Sequence, residues 1–221
     1  MCANSTVMRA LTAARMRQAL RKSPPHGVPA WRSLRRIWSR ELRSRPASEV
    51  IDIALDMLDA GPWGRFTAYE LIACHPLGIK TLTLDSIRRL GHGLADWASV
   101  DTFSCYIAGP AWREGRLPTR EVHAWVRSAD RWQRRAALVC TVALNVRARG
   151  GHGDVPRTLA VCRRVVADRD DMVVKALSWA LRALVEWDRG AVARFLRQHD
   201  ALLAARVKRE VGTKLRTGRK H

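Results

Sequence analysis

The chain has 221 residues, 47% hydrophobic and 27% charged, enough for one sizeable core and ordinary for a globular protein. Its charge is unusual: 40 Lys+Arg against 20 Asp+Glu leave a formal +20, a self-repelling surplus that points to a polyanionic partner. No run of 18 apolar residues exists to span a membrane, and no C-x-x-C pair offers a zinc site.

The cations are arginine except Lys22, Lys80, Lys175, Lys208, Lys214 and Lys220. Arginine suits phosphate forks, and an arginine-rich coding bias explains the excess equally well. The five cysteines (Cys2, Cys74, Cys105, Cys140, Cys162) are scattered and odd in number, as expected of reduced structural thiols in a cytoplasm. Residues 1–40 hold no acid and many arginines. A transit peptide has that composition, and so does a basic helix lying on a nucleic acid, the preferred reading.

Helical periodicity dominates along the chain and strand alternation is nearly absent. Helices are expected at 28–44, at 47–60 (opened by Ser48, closed by Gly61-Pro62), and at 66–74, 79–91 and 95–108. Others follow at 118–127, 131–147, 154–167, 170–187, 189–198 and 201–216. Their breaks are short, among them Pro76, Gly91-His92-Gly93, Gly109-Pro110 and the "GGHG" turn at 150–153. Helical pairs recur at about 35–40 residues, the scale of HEAT-like solenoid repeats. The expected fold class is therefore all-α, a right-handed superhelical solenoid of antiparallel HEAT-like helical pairs. Its expected limits are a basic helical extension over 1–25, the repeat domain over 26–217 and a basic tail over 218–221.

Three of these helices carry side chains that simple packing does not explain. In 95–108 the core stripe is Val100, Phe103, Ser104 and Ile107, and Trp97 and Asp101, one turn apart, share its flank. If that helix begins at Ser99, Asp101 is merely a first-turn acid. In 131–147, Arg135 falls inside the stripe of Trp132, Val139, Val142, Ala143 and Val146, whereas Arg134 falls outside it. A desolvated guanidinium needs a partner, here an internal acid or an external phosphate, unless only its stem is buried. In 170–187 the stripe is Val173, Val174, Leu177, Ala180, Leu181 and Leu184, which turns Trp179 to the other side near Lys175 and Arg182. A neighbouring repeat could bury that second face, or a ligand could occupy it.

Together "WASVD" (97–101), "RWQRRAAL" (131–138) and "KALSWALRAL" (175–184) resemble, in order and spacing, the motif blocks of the AlkD-like bacterial DNA alkylation repair glycosylases. "HGVPAWRSLRRIWSREL" (26–42) is similar to the family's N-terminal segment, and "YELIA" (69–73) is a weak counterpart of another helix. His26 stands where a tyrosine is usual and Ser178 where glycine is common. The resemblance implies a HEAT-like superhelix whose concave basic face holds duplex DNA. It implies removal of cationic N3- and N7-alkylated purines by cleavage of the N-glycosidic bond. It places Trp97 and Trp179 against the lesion's deoxyribose, Asp101 beside the anomeric carbon and Arg135 on the DNA backbone. Arg134, Lys175 and Arg182 are the neighbouring cations expected to face DNA.

The residue types suit that chemistry. A purine with a fixed positive charge is already a good leaving group and needs no general acid. One carboxylate can both stabilise the oxocarbenium-like sugar and orient or deprotonate a water. Indole faces attract cations and add to that stabilisation. The seven histidines form no credible triad with a serine and an acid, and no cofactor or metal motif is present. The expectation is a monomeric, cofactor-free, cytoplasmic monofunctional glycosylase acting on alkylated double-stranded DNA. The alternatives are a non-catalytic HEAT-like nucleic-acid binder and a protein-binding scaffold.

Overall fold

The computed structural model describes residues 11–22, 26–61 and 63–219, and among them every regular element is helical. Cys2, Pro62 and parts of the expected extension and tail lie outside the described residues. The chain divides into two compact units, one ending at Gly78 and the other beginning at Ile79.

The first unit holds α1 (Ala13–Lys22), α2 (Gly27–Leu42), α3 (Ala47–Asp56) and α4 (Gly64–Cys74). Helix α1, within the expected extension, packs on α3. Trp31, Trp38 and Leu42 lie on one face of α2 and are buried. Trp31 stacks on Trp63 with centroids 5.5 Å apart, and its Nε1 donates to Thr67 at 2.9 Å. One turn along α2, Arg35 pairs with Glu70 of α4 at 2.9 Å. Helix α3 starts at Ala47 behind Pro46, not behind Ser48. Proline fixes its own φ and has no N–H, so the residue after it can open the helix one position earlier.

The second unit contains α6 (Leu84–Leu90), α7 (Trp97–Phe103), α8 (Gly109–Arg113), α9 (Thr119–Val126) and α10 (Arg131–Asn145). It continues through α11 (Val155–Arg163), α12 (Asp171–Leu184), α13 (Arg189–Gln198) and α14 (Ala205–Thr217). The single helix expected over 79–91 is two, α5 (Gly78–Thr81) and α6. Thr83 and Ser86 form a reciprocal capping box that starts a new helix, a signal that periodicity alone misses. Asp96, Asp130, Asp154, Asp170 and Asp188 cap α7, α10, α11, α12 and α13, each accepting a backbone N–H. A chain poor in acids thus places several of them where each stabilises a helix start by about 1 kcal/mol.

The break expected at Gly109-Pro110 is no break. Helix α7 continues through a π-helical segment, Ser104–Ala108, directly into α8. Pro110 has no N–H to offer its preceding turn, and the wider π spacing accommodates that loss without ending the helix. Gly109 sits where a Cβ would lie 2.8 Å from the Cys140 carbonyl and 2.6 Å from the Ala143 methyl, so this helix presses directly onto α10.

Side-chain bonds give the direction of the helices in this unit. Asp101 meets Arg135, and Gly109 meets Cys140 and Ala143, so the α7–α8 helix and α10 run parallel. Arg135 reaches the Met172 carbonyl, and Trp187, just past α12, reaches that of Asn145, so α10 and α12 run parallel too. Asp171 pairs with Arg206 and Ser178 with Glu210, which extends the pattern to α14. The offsets are 34, 37 and 32 residues, one within and two just short of the interval expected from the sequence. Helices α9, α11 and α13 pack against this row, joined to it by short connections. Helix α10, central to the row, is buried on every side from Arg135 to Asn145, so its apolar stripe is in fact a whole circumference.

Candidate active site

Asp96 accepts the Ser99 N–H at 2.9 Å and fixes the start of α7 at Trp97. Asp101 therefore lies in the second turn, where it is neither a cap nor a first-turn acid. Val100, Phe103, Ser104 and Ile107 are all buried, as the stripe requires. The Asp101 carboxylate turns toward α10, and Trp97, one turn earlier, is 58% exposed.

Arg135 has an internal acid as its partner. Its Nε donates to Asp101 Oδ1 and its Nη2 to Oδ2, both at 2.8 Å, while Nη1 donates to the Met172 carbonyl at 2.6 Å. The guanidinium is buried whole, not snorkelled, with the side chains of Arg135 and Asp101 7% and 16% exposed. A fork-to-fork pair fixes the carboxylate plane as well as its position. A carboxylate has about four acceptor sites. Two are used here, so one lone pair on each oxygen remains for a ligand.

Burial pushes the Asp101 carboxyl above the ordinary aspartate range. Hydrogen bonding to Arg135 and the charges of Arg135 and Arg149 pull it back only in part, and Asp96 adds to the rise. Burial also lifts the Cys105 thiol to about 12 and raises the Cys140 thiol, so both stay protonated.

The other expected residues lie on α10 and α12. Trp179 is half-buried, two turns along α12 from Met172 and on the same side. Lys175, between them, pairs with Asp171 at 2.6 Å. Arg182 donates to the Ser178 carbonyl and hydroxyl at 3.2 Å and lies 3.6 Å from Glu210. Arg134 bonds to Asp168 at 2.8 Å and to the carbonyls of Ser128 and Ala129. The structure thus brings Asp101, Arg135 and the start of α12 together and ties Arg134 into the fold.

Across residues 8–215, nearly the whole chain, the sequence matches the family model described as DNA alkylation repair enzyme. The chain belongs to this family. No curated protein and no solved structure matches it. As a DNA alkylation repair enzyme it has DNA as its substrate, which accounts for the sign of its charge. No helix among the described residues is long and apolar enough to cross a membrane, and no three His, Cys, Asp or Glu side chains cluster there as metal ligands would.

Two features escaped the sequence. A half-open cleft of about 270 Å³ lies beside Phe103, Trp125 and Trp132. Arg149 closes the 3-10 turn after α10 with its charge acting on Asp101. The cue for Arg149 was an arginine directly before a glycine-rich turn.

Proposed function

We propose that this DNA alkylation repair enzyme is a monofunctional glycosylase hydrolysing the N-glycosidic bond of cationic N3- and N7-alkylated purines in duplex DNA. The observation that supports it most is the Asp101 carboxylate, oriented by a bidentate arginine, partly dry, and one turn from an exposed indole. In this mechanism the C1′–N bond breaks with its electrons leaving on the base, which departs neutral. The water oxygen bonds to C1′ and Asp101 takes the water's proton. Before that, the carboxylate stabilises the positive sugar across a poorly screened distance. Arg135 acts through Asp101 as a positioning residue, and the Trp97 and Trp179 faces stabilise the cation further. The row of parallel helices is the concave layer of a HEAT-like superhelix in this proposal, with Lys175 and Arg182 toward DNA. The enzyme would work as a cytoplasmic monomer without a cofactor.

One observation favours a second reading, a non-catalytic duplex binder: both oxygens of Asp101 are already bonded to Arg135. Release of 7-methylguanine from methylated duplex DNA separates the two. The glycosylase releases it with wild-type protein and loses most of the rate in Asp101→Asn while binding persists. A binder releases none with either.

A further inference from the structure

Arg135 has its anion; Arg149 does not. A guanidinium carries five N–H donors and a full charge, and leaving it half-buried without an acceptor is costly. Among the described residues no carboxylate and no hydrogen-bond acceptor meets the Arg149 side chain, and its Nη1 is sealed from solvent without a partner. Its guanidinium sits over the face of Tyr106, with Cζ 4.9 Å from the ring centroid. A cation–π contact of this kind offsets only part of the lost hydration. The residue as a whole is only half-buried, so part of it reaches solvent.

The backbone that carries this side chain is held firmly. Arg113 Nη1 donates to the Arg149 carbonyl at 2.9 Å and to the Ala143 carbonyl at 3.3 Å. Gly150 takes the left-handed conformation, φ +74°, that reverses the chain after the turn. A Cβ on Gly151 would lie 2.7 Å from the Leu144 backbone, and one on Gly153 would lie 2.7 Å from the Trp187 ring. Trp187 in turn donates to the Asn145 carbonyl at 2.6 Å. A rigid loop that presents an unsatisfied cation resembles a ligand site in waiting more than a packing residue.

We propose that Arg149 is a phosphate ligand of this site, taking a backbone phosphate of the DNA strand whose sugar faces Asp101. The assignment rests on the glycosylase reading for its location, and it names the contact that Arg135, occupied by Asp101, leaves open. Proximity to the reacting group is independent support, because the Arg149 charge acts on both the Asp101 carboxyl and the Cys105 thiol. Tyr106, whose ring lies under the guanidinium, stands on the π-helical segment between Asp101 and α8.

The test is binding of an undamaged 20-base-pair duplex over a range of salt concentrations, which needs no turnover. Arg149→Gln should bind about tenfold more weakly near 0.1 M salt, with the slope of log K on log[salt] shallower by about 0.9. Arg149→Lys should keep the slope, and the melting temperature of both variants should match wild type. Arg88→Gln is the control, since its cation is already paired with Glu121 at 2.9 Å, and its slope should stay unchanged. An unaltered slope in Arg149→Gln overturns the proposal while leaving the glycosylase reading intact. So does an equal loss in Arg88→Gln, or a large fall in melting temperature that makes Arg149 structural. Wild-type protein that fails to bind duplex DNA overturns both.

Discussion

Arg35–Glu70 in the first unit and Arg135–Asp101 in the second each join neighbouring helices through a buried arginine–carboxylate pair, and the two pairs differ in what surrounds them. In the first unit, Arg35 and Glu70 are 14% and 7% exposed, with Glu70 flanked in sequence by the buried Tyr69 and Leu71 and Arg35 one turn from the buried Trp31. In the second, the acid is the more open partner, with Asp101 at 16% and Arg135 at 7%. An exposed indole stands one turn from Asp101 and a second cation acts on it. The chemical pair is the same, and its environment separates a packing device from a candidate catalytic one. Conventional ion-pair energetics says that breaking either should destabilise the fold. Only the second should alter a reaction.

The comparison can be broken most sharply at Glu70. Glu70→Ala leaves Arg35 without its carboxylate and should lower stability by about 3–5 kcal/mol in chemical denaturation, with excision per folded molecule unchanged. A lost excision rate in the folded fraction would erase the distinction between the pairs. Asp101→Asn still offers Arg135 one acceptor oxygen, so its main effect should be kinetic. Single-turnover release of 7-methylguanine should slow by about 10²–10³, or about 2.7–4 kcal/mol in barrier. Trp97→Ala removes a largely exposed side chain and should change stability by under about 0.5 kcal/mol. Its excision rate should fall by the worth of one cation–π contact, about 0.5–2 kcal/mol.

A pH profile sharpens the contrast further. The mechanism needs Asp101 ionised, and its carboxyl is raised above the ordinary aspartate range. The acid limb of the excision rate should therefore rise with pH through a midpoint above that range. Arg135→Gln removes the strongest force lowering that value and should move the limb to higher pH. The stability effect has the opposite sign, because the folded state holds this proton more tightly than the unfolded one. Asp101's contribution to stability is fully present below its unfolded pKa and is lost as pH rises through the folded value. Asp101→Asn should flatten that part of the stability profile in urea titrations.

Much of this arrangement was legible in the residues. Periodicity placed the helices of the second unit within a few positions, and Val173, Val174, Leu177, Ala180, Leu181 and Leu184 are buried as their spacing requires. The burden of burying Arg135 predicted a partner. Its identity was not legible, because Asp101 lies 34 residues away and the pairing depends on the parallel packing of two helices. The division of 79–91 into two helices depended on a Thr–Ser capping box that an apolar count does not see. The Gly109-Pro110 pair was misleading for a related reason: local propensity says stop, and packing against α10 carries the helix onward. Arg149 offered only the glycine-rich turn after it as a cue, because an arginine in a short 3-10 turn has no spacing to violate.

The π turn at Ser104–Ala108 also sets the phase of everything upstream of it. An ordinary α-helix advances about 100° per residue. Gly109 is clamped onto α10 on one side of that turn, and Asp101 must face Arg135 on the other. Deleting one residue between them to restore an ordinary helix would rotate Trp97 and Asp101 by about a quarter of a revolution, away from their partner. The extra residue thus works like a key cut to a single angle, and variation in length there should be tolerated far less than variation in side chain.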